Sequence, residues 1–65
     1  MTLSPYALSL SEVEQVLREL HANLRASHHD GWWSVDLRDN RGRHAIERGL
    51  TFEGAFRAAV ESFGT

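Results

Sequence analysis

The sequence predicts an α+β fold of order α-β-β-α, with two helices packed on one face of a two-stranded antiparallel hairpin. Near both ends of the chain, apolar residues recur at helical spacing, which indicates amphipathic helices. Between them, apolar and polar residues alternate on either side of a turn sequence, which is typical of a β-hairpin. The 65 residues are enough for one domain, so we expect a single domain over 1–65.

The first helix is predicted over residues 9–27, after an irregular lead-in over 1–8. Ser9 or Ser11 would cap it, because each is followed three residues later by a glutamate and could form a capping box. Gly31 would end the helical region by adopting the left-handed conformation.

One stripe of this helix is apolar. Its members recur at alternating steps of three and four residues, and they are Leu10, Val13, Leu17, Leu20 and Leu24, with Val16 widening the stripe. The stripe could pair with a partner helix as a coiled coil, but it is shorter than the roughly three or four heptads that indicate one. We therefore assign it to the protein's own core.

The hairpin is predicted to pair strands over 32–38 and 43–48 through a loop over 39–42, whose glycine takes positive φ. In this register Val35 lies opposite Ile46, and a slip by one residue would place a glutamate there instead. The core face would hold Trp33, Val35, Leu37 and Ile46. The other face would hold Trp32, Ser34, Asp36, Arg38, Arg43, Ala45 and Glu47.

The second helix is predicted over 51–63. Thr51 would be its N-cap, Gly64 would end it, and Gly54 in its first turn indicates close packing against the hairpin. Its apolar face comprises Phe52, Ala55, Phe56, Ala59, Val60 and Phe63. The predicted centre of the core is Leu17, Leu20, Leu24, Trp33, Val35, Ile46, Phe56, Val60 and Phe63.

Charge and composition argue against several classes of function. The net charge of −2 gives no general attraction to nucleic acid or to an anionic membrane. Without cysteine, disulfides and thiolate zinc sites are excluded. The N-terminal sequence has neither a basic segment nor a long apolar run, so we expect a cytoplasmic protein with no membrane association. Because so small a core is marginally stable, we expect a homodimer, formed through strand edges, the open sheet face or the first helix.

The sequence predicts no enzymatic activity, no cofactor and no metal. His28, His29 and Asp30 carry metal-ligating atoms, but neighbouring histidines on a regular helix do not converge on one ion, and the HExxH spacing is missing. Every serine lies in a predicted cap, helix end or strand, whereas a nucleophile needs a positioned histidine and acid. A domain this small also lacks room for a deep pocket.

The candidate partner-binding residues are Trp32, Arg38, Arg41 and Arg43. Strand alternation sends Trp32 and its neighbour Trp33 to opposite faces, and an exposed tryptophan indicates a contact surface. Tryptophan and arginine dominate protein–protein hot spots, which favours a protein partner. Arginines beside an aromatic residue also bind single-stranded nucleic acid. Nucleic acid is the less favoured partner, because Asp36, Asp39 and Glu47 dilute the positive charge.

The segment from Gly49 to Ala59 contains Gly49, Thr51 and Glu53 directly after a predicted strand. It resembles the strand–Gly–x–Thr–x–Glu–helix segment of HicB-type antitoxins. In that family a further strand precedes the hairpin, where we expect a helix in this chain. In size, absence of cysteine and compact plan, the whole chain also looks like small phage-encoded accessory proteins, including anti-CRISPR inhibitors.

Both resemblances imply that a small folded module binds one macromolecule and blocks it. The expected function is therefore a non-enzymatic module that binds a protein partner and inhibits or modulates it. The alternatives are a nucleic-acid-contacting accessory protein that uses the arginine-rich hairpin, and an antitoxin-like partner of a toxin.

Overall fold

The fold is known from a computed structural model, which describes residues 9–64; the predicted lead-in over 1–8 lies outside these residues. The elements in chain order are α1 (Leu10–Leu20), β1 (Ala22–His29), β2 (Trp32–Asp39), β3 (His44–Gly49) and α2 (Phe52–Phe63). The α+β class with two helices is confirmed. The antiparallel sheet has three strands in the order β1-β2-β3, so the prediction of two strands is wrong.

Helix α1 begins as predicted and ends earlier than predicted. The Ser9 hydroxyl accepts a hydrogen bond from the Glu12 amide at 3.2 Å, so Ser9 is the N-cap. The helix stops at Leu20 because His21 adopts the left-handed conformation, with φ 53° and ψ 40°. The amide of His21 bonds back to carbonyls of the last turn, which satisfies groups that a helix end leaves free.

Strand β1 occupies most of the segment that was predicted to continue the first helix. It pairs with β2 along its full length, from Ala22 opposite Asp39 to His29 opposite Trp32. The two strands are joined by a two-residue turn whose residues, Asp30 and Gly31, both have positive φ, at 53° and 81°. This is the type I′ geometry that Asp-Gly favours in hairpins. Gly31 is thus left-handed as predicted, but in a hairpin turn rather than at a helix end.

The predicted register between β2 and β3 is wrong by one residue. Val35 pairs with Glu47, and Leu37 pairs with Ala45. The extra residue lies in the loop, where the Asp39 carboxylate accepts hydrogen bonds from the amides of Arg41 at 2.9 Å and Arg43 at 2.8 Å. The glycine of this loop has φ 89°, as predicted.

The register places Ala45 in the core, 8% exposed, and Ile46 on the opposite face, 51% exposed. The physical reason is the close approach of α2 to β3. A Cβ atom added to Gly49 would lie 2.7 Å from the backbone nitrogen of Ala55, so small side chains fit between the helix and the strand. Close packing was predicted at Gly54 instead, where an added Cβ would meet a single atom, the hydroxyl oxygen of the α2 N-cap, at 3.2 Å.

The core lies between the two helices and one face of the sheet, because buried residues of both helices join a single cluster with β2 and β3. Both helices therefore pack on one face, as predicted. The cluster consists of Val13, Val16, Val35, Leu37, Ala45, Ala55, Phe56, Ala59 and Phe63. Of the predicted centre, Val35, Phe56 and Phe63 are buried, and Ile46 is not. The others are partly buried at its border, and they are Leu17, Leu20, Leu24, Trp33 and Val60.

Candidate functional site

The side of the sheet that faces away from both helices forms a surface that we name the open sheet face. Val35 and Leu37 are fully buried on the helix side, so their strand neighbours point the other way. The pairing of the strands then defines the rest of the face. Its members are Asn23, Arg25, Ser27 and His29 of β1, Trp32, Ser34, Asp36 and Arg38 of β2, and His44, Ile46 and Arg48 of β3.

The open sheet face is positively charged on an acidic protein. It holds three arginines and one aspartate, a formal charge of +2, whereas the whole chain has a net charge of −2. The rest of the protein therefore carries −4. Each strand contributes one arginine to the face. Two acids that were predicted to dilute this charge lie elsewhere: Asp39 binds the β2–β3 loop, and Glu47 is on the helix side, where it accepts a hydrogen bond from Ser62 at 3.0 Å.

Asp36 lies at the centre of the face, and its carboxylate contacts the side chains of Arg38 and His44. Its side chain is 16% exposed, and its Oδ2 accepts a hydrogen bond from Nε of Arg38 at 3.1 Å. Nε2 of His44 lies 3.1 Å from Oδ1, but Oδ1 is buried without a hydrogen bond among residues 9–64. Such short contacts to a half-buried carboxylate restrict the side chains of Arg38 and His44.

Arg25 and Arg48 are the other two arginines of the face. Arg25 lies directly across from Asp36, and Arg48 lies across from Ser34, yet neither guanidinium forms an ion pair within the part of the chain that the structure describes. A guanidinium can donate two parallel hydrogen bonds to a carboxylate or a phosphate. These two guanidinium groups are therefore the ones on this face that have no ion-pair partner within residues 9–64.

A recess crosses the face beside Trp32. Ser27 and Ser34 lie opposite each other and form its floor, because their side chains are short and the neighbouring ones are long. Its sides are lined by Trp32, His29, Asp30 and Arg48, and its volume is about 470 Å³. The walls thus combine an aromatic ring, hydrogen-bond donors and the Asp30 carboxylate, so a side chain or a base inserted here could make both stacking and hydrogen-bond contacts.

Apolar surface is also present on this mostly polar face. Trp32 is 49% exposed and Ile46 is 51% exposed, and they belong to different strands. Single exposed apolar residues are ordinary on protein surfaces. Two of them among arginines match the composition of interface cores, in which aromatic and arginine residues are enriched.

The structure brings together two of the four predicted contact residues. Trp32 and Arg38 share the open sheet face, whereas Arg41 lies in the β2–β3 loop. Arg43 is directed toward α2: its guanidinium carbon lies 4.4 Å from the ring centre of Phe63, and it donates a hydrogen bond to the Phe63 carbonyl at 3.2 Å. Arg43 thus connects the loop to the end of α2 instead of sharing a face with Trp32.

Sequence reasoning missed Arg25, His44, Ile46 and Arg48 as members of this face. Arg25 could have been found from the Asp-Gly pair at 30–31, because this pair between alternating segments is a strong hairpin signal and implies a strand before it. The positions of His44, Ile46 and Arg48 on this face could be predicted only from the correct register of β3.

The histidines that were considered as metal ligands point to opposite faces of the sheet. The ring of His28 packs against Trp33 with a centre-to-centre distance of 5.0 Å, on the helix side. Nε2 of His29 lies 3.4 Å from the Asp30 carboxylate on the open side. Within residues 9–64, no three histidine or acidic side chains are grouped so as to hold a metal ion.

Comparisons with protein-family models, curated proteins and solved structures find no match to this chain. Neither of the two helices of residues 9–64 is long and apolar enough to cross a membrane.

Proposed function

We propose that the protein is a non-enzymatic binding module whose open sheet face binds an acidic surface of a partner protein and thereby inhibits or modulates that partner. The observation that carries this proposal is that Arg25 and Arg48, which form no ion pair within residues 9–64, lie on the same face as exposed Trp32 and Ile46. The arginines would pair with carboxylates of the partner, while the two apolar side chains would be covered by it.

The make-up of the face favours a protein over other anionic ligands. Ile46 offers apolar area but has no ring on which a base could stack. Asp36 places a carboxylate at the centre of the face, where its negative charge would repel a phosphate backbone. Mixed charge around apolar anchors gives specificity in protein–protein contacts.

Single-stranded nucleic acid is the second candidate, and the formal charge of +2 on the face favours it. Such ligands stack bases on aromatic rings above a basic surface, and Trp32 with Arg48 at the recess would provide one such position. This role requires the phosphate contacts to outweigh repulsion by Asp36.

The resemblances support a blocking mode of action in the cytoplasm, the location expected from the sequence. Small phage-encoded inhibitors act as folded modules that cover a surface of their target, and an open sheet face on a chain of 65 residues suits that mode. HicB-type antitoxins also have a further strand before the hairpin, the position that β1 occupies in this chain.

The test compares substitutions of exposed apolar residues on and off the face. Trp32→Ala and Ile46→Ala alter the face, and Leu50→Ala is the matched control, because Leu50 is 70% exposed and lies outside it. Each protein is immobilised and exposed to a lysate of the source cells, and the retained proteins are quantified by mass spectrometry. The affinity of the identified partner is then measured by calorimetry with purified components.

We expect a partner that wild type and Leu50→Ala retain and that the two face variants lose. If Trp32 is a hot spot, its removal weakens binding by about 2 kcal/mol, or roughly 30-fold. A labelled single-stranded oligonucleotide tests the second candidate, since binding through phosphates falls steeply as salt is raised. Equal retention of the same proteins by all four would overturn the proposal that the open sheet face is the contact surface.

A further inference from the structure

The outer edge of β1 carries backbone groups that have no partner among the residues that the structure describes. His29 and Trp32 close a two-residue hairpin, and in an antiparallel ladder hydrogen-bonded and non-hydrogen-bonded pairs alternate from there. The amides and carbonyls of Leu24, Ala26 and His28 therefore point away from β2. Within residues 9–64, no backbone hydrogen bond between different elements involves them.

This edge also lacks the features that prevent strands from pairing. Edge strands are usually short, bulged, or protected by proline and charge. Strand β1 has eight residues, its pairing with β2 is continuous without a bulge, and it contains no proline and a single permanent charge, on Arg25. At the opposite edge of the sheet, β3 has six residues and carries both Glu47 and Arg48.

The second half of β1 is also uncovered on the helix side. Ala26 and His28 lie on the same side as the core, yet both are exposed, and Leu24 is only partly buried against the core. The described helices thus leave a strip of β1 open on both faces. A strand from outside the described residues that paired with β1 would both cover this strip and form hydrogen bonds with the outward amides and carbonyls of β1.

We propose that two copies of this protein pair through β1, antiparallel and with the two-fold axis at Ala26, to form a continuous six-stranded sheet. Residues that lie opposite each other in an antiparallel pair have side chains on the same face. The two-fold axis must therefore set one residue opposite its own copy, because an axis between two residues would pair side chains from different faces. An axis at Arg25 would set two arginines against each other, and an axis at Ser27 would pair a shorter stretch of the strand. At Ala26, Arg25 lies opposite Ser27 of the second copy.

This arrangement joins the two open sheet faces into one surface. On the helix side, Leu24 of one copy lies opposite His28 of the other, whose ring packs on Trp33. The two copies of Arg25 come close to the dimer axis, but each faces a serine. The dimer therefore presents Arg25 and Arg48 of both copies on the same side.

Cysteine cross-linking tests the register, because the chain contains no cysteine of its own. Ala26→Cys in the full chain places the two thiols at a hydrogen-bonded pair, where Cα atoms are about 5.5 Å apart, within the range of a disulfide. Asn23→Cys is the matched control, since it is exposed on the same strand but far from its own copy across the axis. A mixture of Arg25→Cys and Ser27→Cys proteins should link to each other in preference to themselves.

We expect Ala26→Cys to form a covalent dimer under mild oxidation at a protein concentration at which Asn23→Cys forms no disulfide-linked dimer. Light scattering should give twice the chain mass of 7.4 kDa for wild type, and Ala26→Arg should halve it by setting two charges together. Asn40→Arg, in the β2–β3 loop, should remain dimeric. Circular dichroism verifies that each variant is folded. A wild-type mass of 7.4 kDa, or equal cross-linking at 23 and 26, would overturn the proposal.

Discussion

The register of β2 and β3 decides which residues form the open sheet face, and two alanine substitutions test it. Val35 is fully buried and Ile46 is 51% exposed. Val35→Ala deletes two methyl groups, each worth about 0.8 kcal/mol when buried. The cavity left in the packed core adds to this cost. We therefore expect Val35→Ala to lower the free energy of unfolding by about 2–3 kcal/mol.

Ile46→Ala removes more atoms and should cost less. Three deleted carbons would give about 2.4 kcal/mol if the side chain were fully buried. About half of its surface already contacts water, and an open face leaves no cavity, so the expected loss is about 1 kcal/mol. In a domain of this size 1 kcal/mol shifts Tm by roughly 4–8 °C. Val35→Ala should therefore lower Tm by about 10–20 °C, and Ile46→Ala by less than about 8 °C.

Thermal and urea unfolding, followed by circular dichroism, measure both losses. Protein concentration is held constant, because self-association makes Tm depend on it. Ala45→Leu provides the complementary variant: it overpacks the space below α2 and should cost about 1–3 kcal/mol. If Ile46→Ala costs more than Val35→Ala while Ala45→Leu is neutral, Ile46 lies in the core. That result would refute the register and, with it, the composition of the open sheet face.

Three further predictions concern the core and the close approach of α2. Phe56 is fully buried, so Phe56→Ala should lower the free energy of unfolding by about 3–5 kcal/mol and abolish cooperative melting. A nearly unchanged Tm would place Phe56 outside the core. Trp33→Ala should lower Tm more than Trp32→Ala, and the reverse order would show that Trp32 is the inward residue. Gly49→Ala should cost about 1–3 kcal/mol, because its Cβ would lie 2.7 Å from the Ala55 nitrogen; an unaltered urea midpoint would contradict this approach.

The features that were predicted correctly depend on residues close together in the chain. The caps at Ser9 and Thr51 are observed, with the hydroxyl of Thr51 accepting a hydrogen bond from the Gly54 amide at 3.0 Å. The loop glycine at 42 has the positive φ that was expected. Capping and turn chemistry involve atoms within a few residues, so the local sequence contains the information that determines them.

The end of α1 could not be predicted from hydrophobic spacing alone. Leu20 and Leu24 are four residues apart, which fits a helix, and Leu24 with Ala26 also fits an alternating strand. The helix stops at His21, a residue that adopts the left-handed conformation less readily than glycine, so the sequence has no clear stop signal there. The Asp-Gly pair that follows was consistent with a helix end and with a hairpin, and tertiary pairing with β2 decides between them.

The predicted register of β2 and β3 was wrong for a different reason, because the prediction maximised the hydrophobicity of the core face. That rule places Ile46 inward, but the space between β3 and α2 is limited by the approach of the helix at Gly49. Alanine at 45 fits this space, and Glu47 reaches its border, where it meets Ser62 at 3.0 Å. The distance between two elements that are far apart in sequence thus outweighed the gain from burying a larger side chain.

The charge of the open sheet face depends on a residue that is not part of it. A shift by one residue turns every side chain of a strand to the other face, so the β2–β3 loop decides whether Arg48 or Glu47 points outward from β3. The Asp39 carboxylate holds that loop through amide bonds of 2.9 and 2.8 Å, and its side chain is 8% exposed. With β3 slipped by one residue, Arg43 and Glu47 would replace Arg48 on the face, and its formal charge would fall from +2 to +1. Asp39 therefore influences the charge of the open sheet face from a position outside that face.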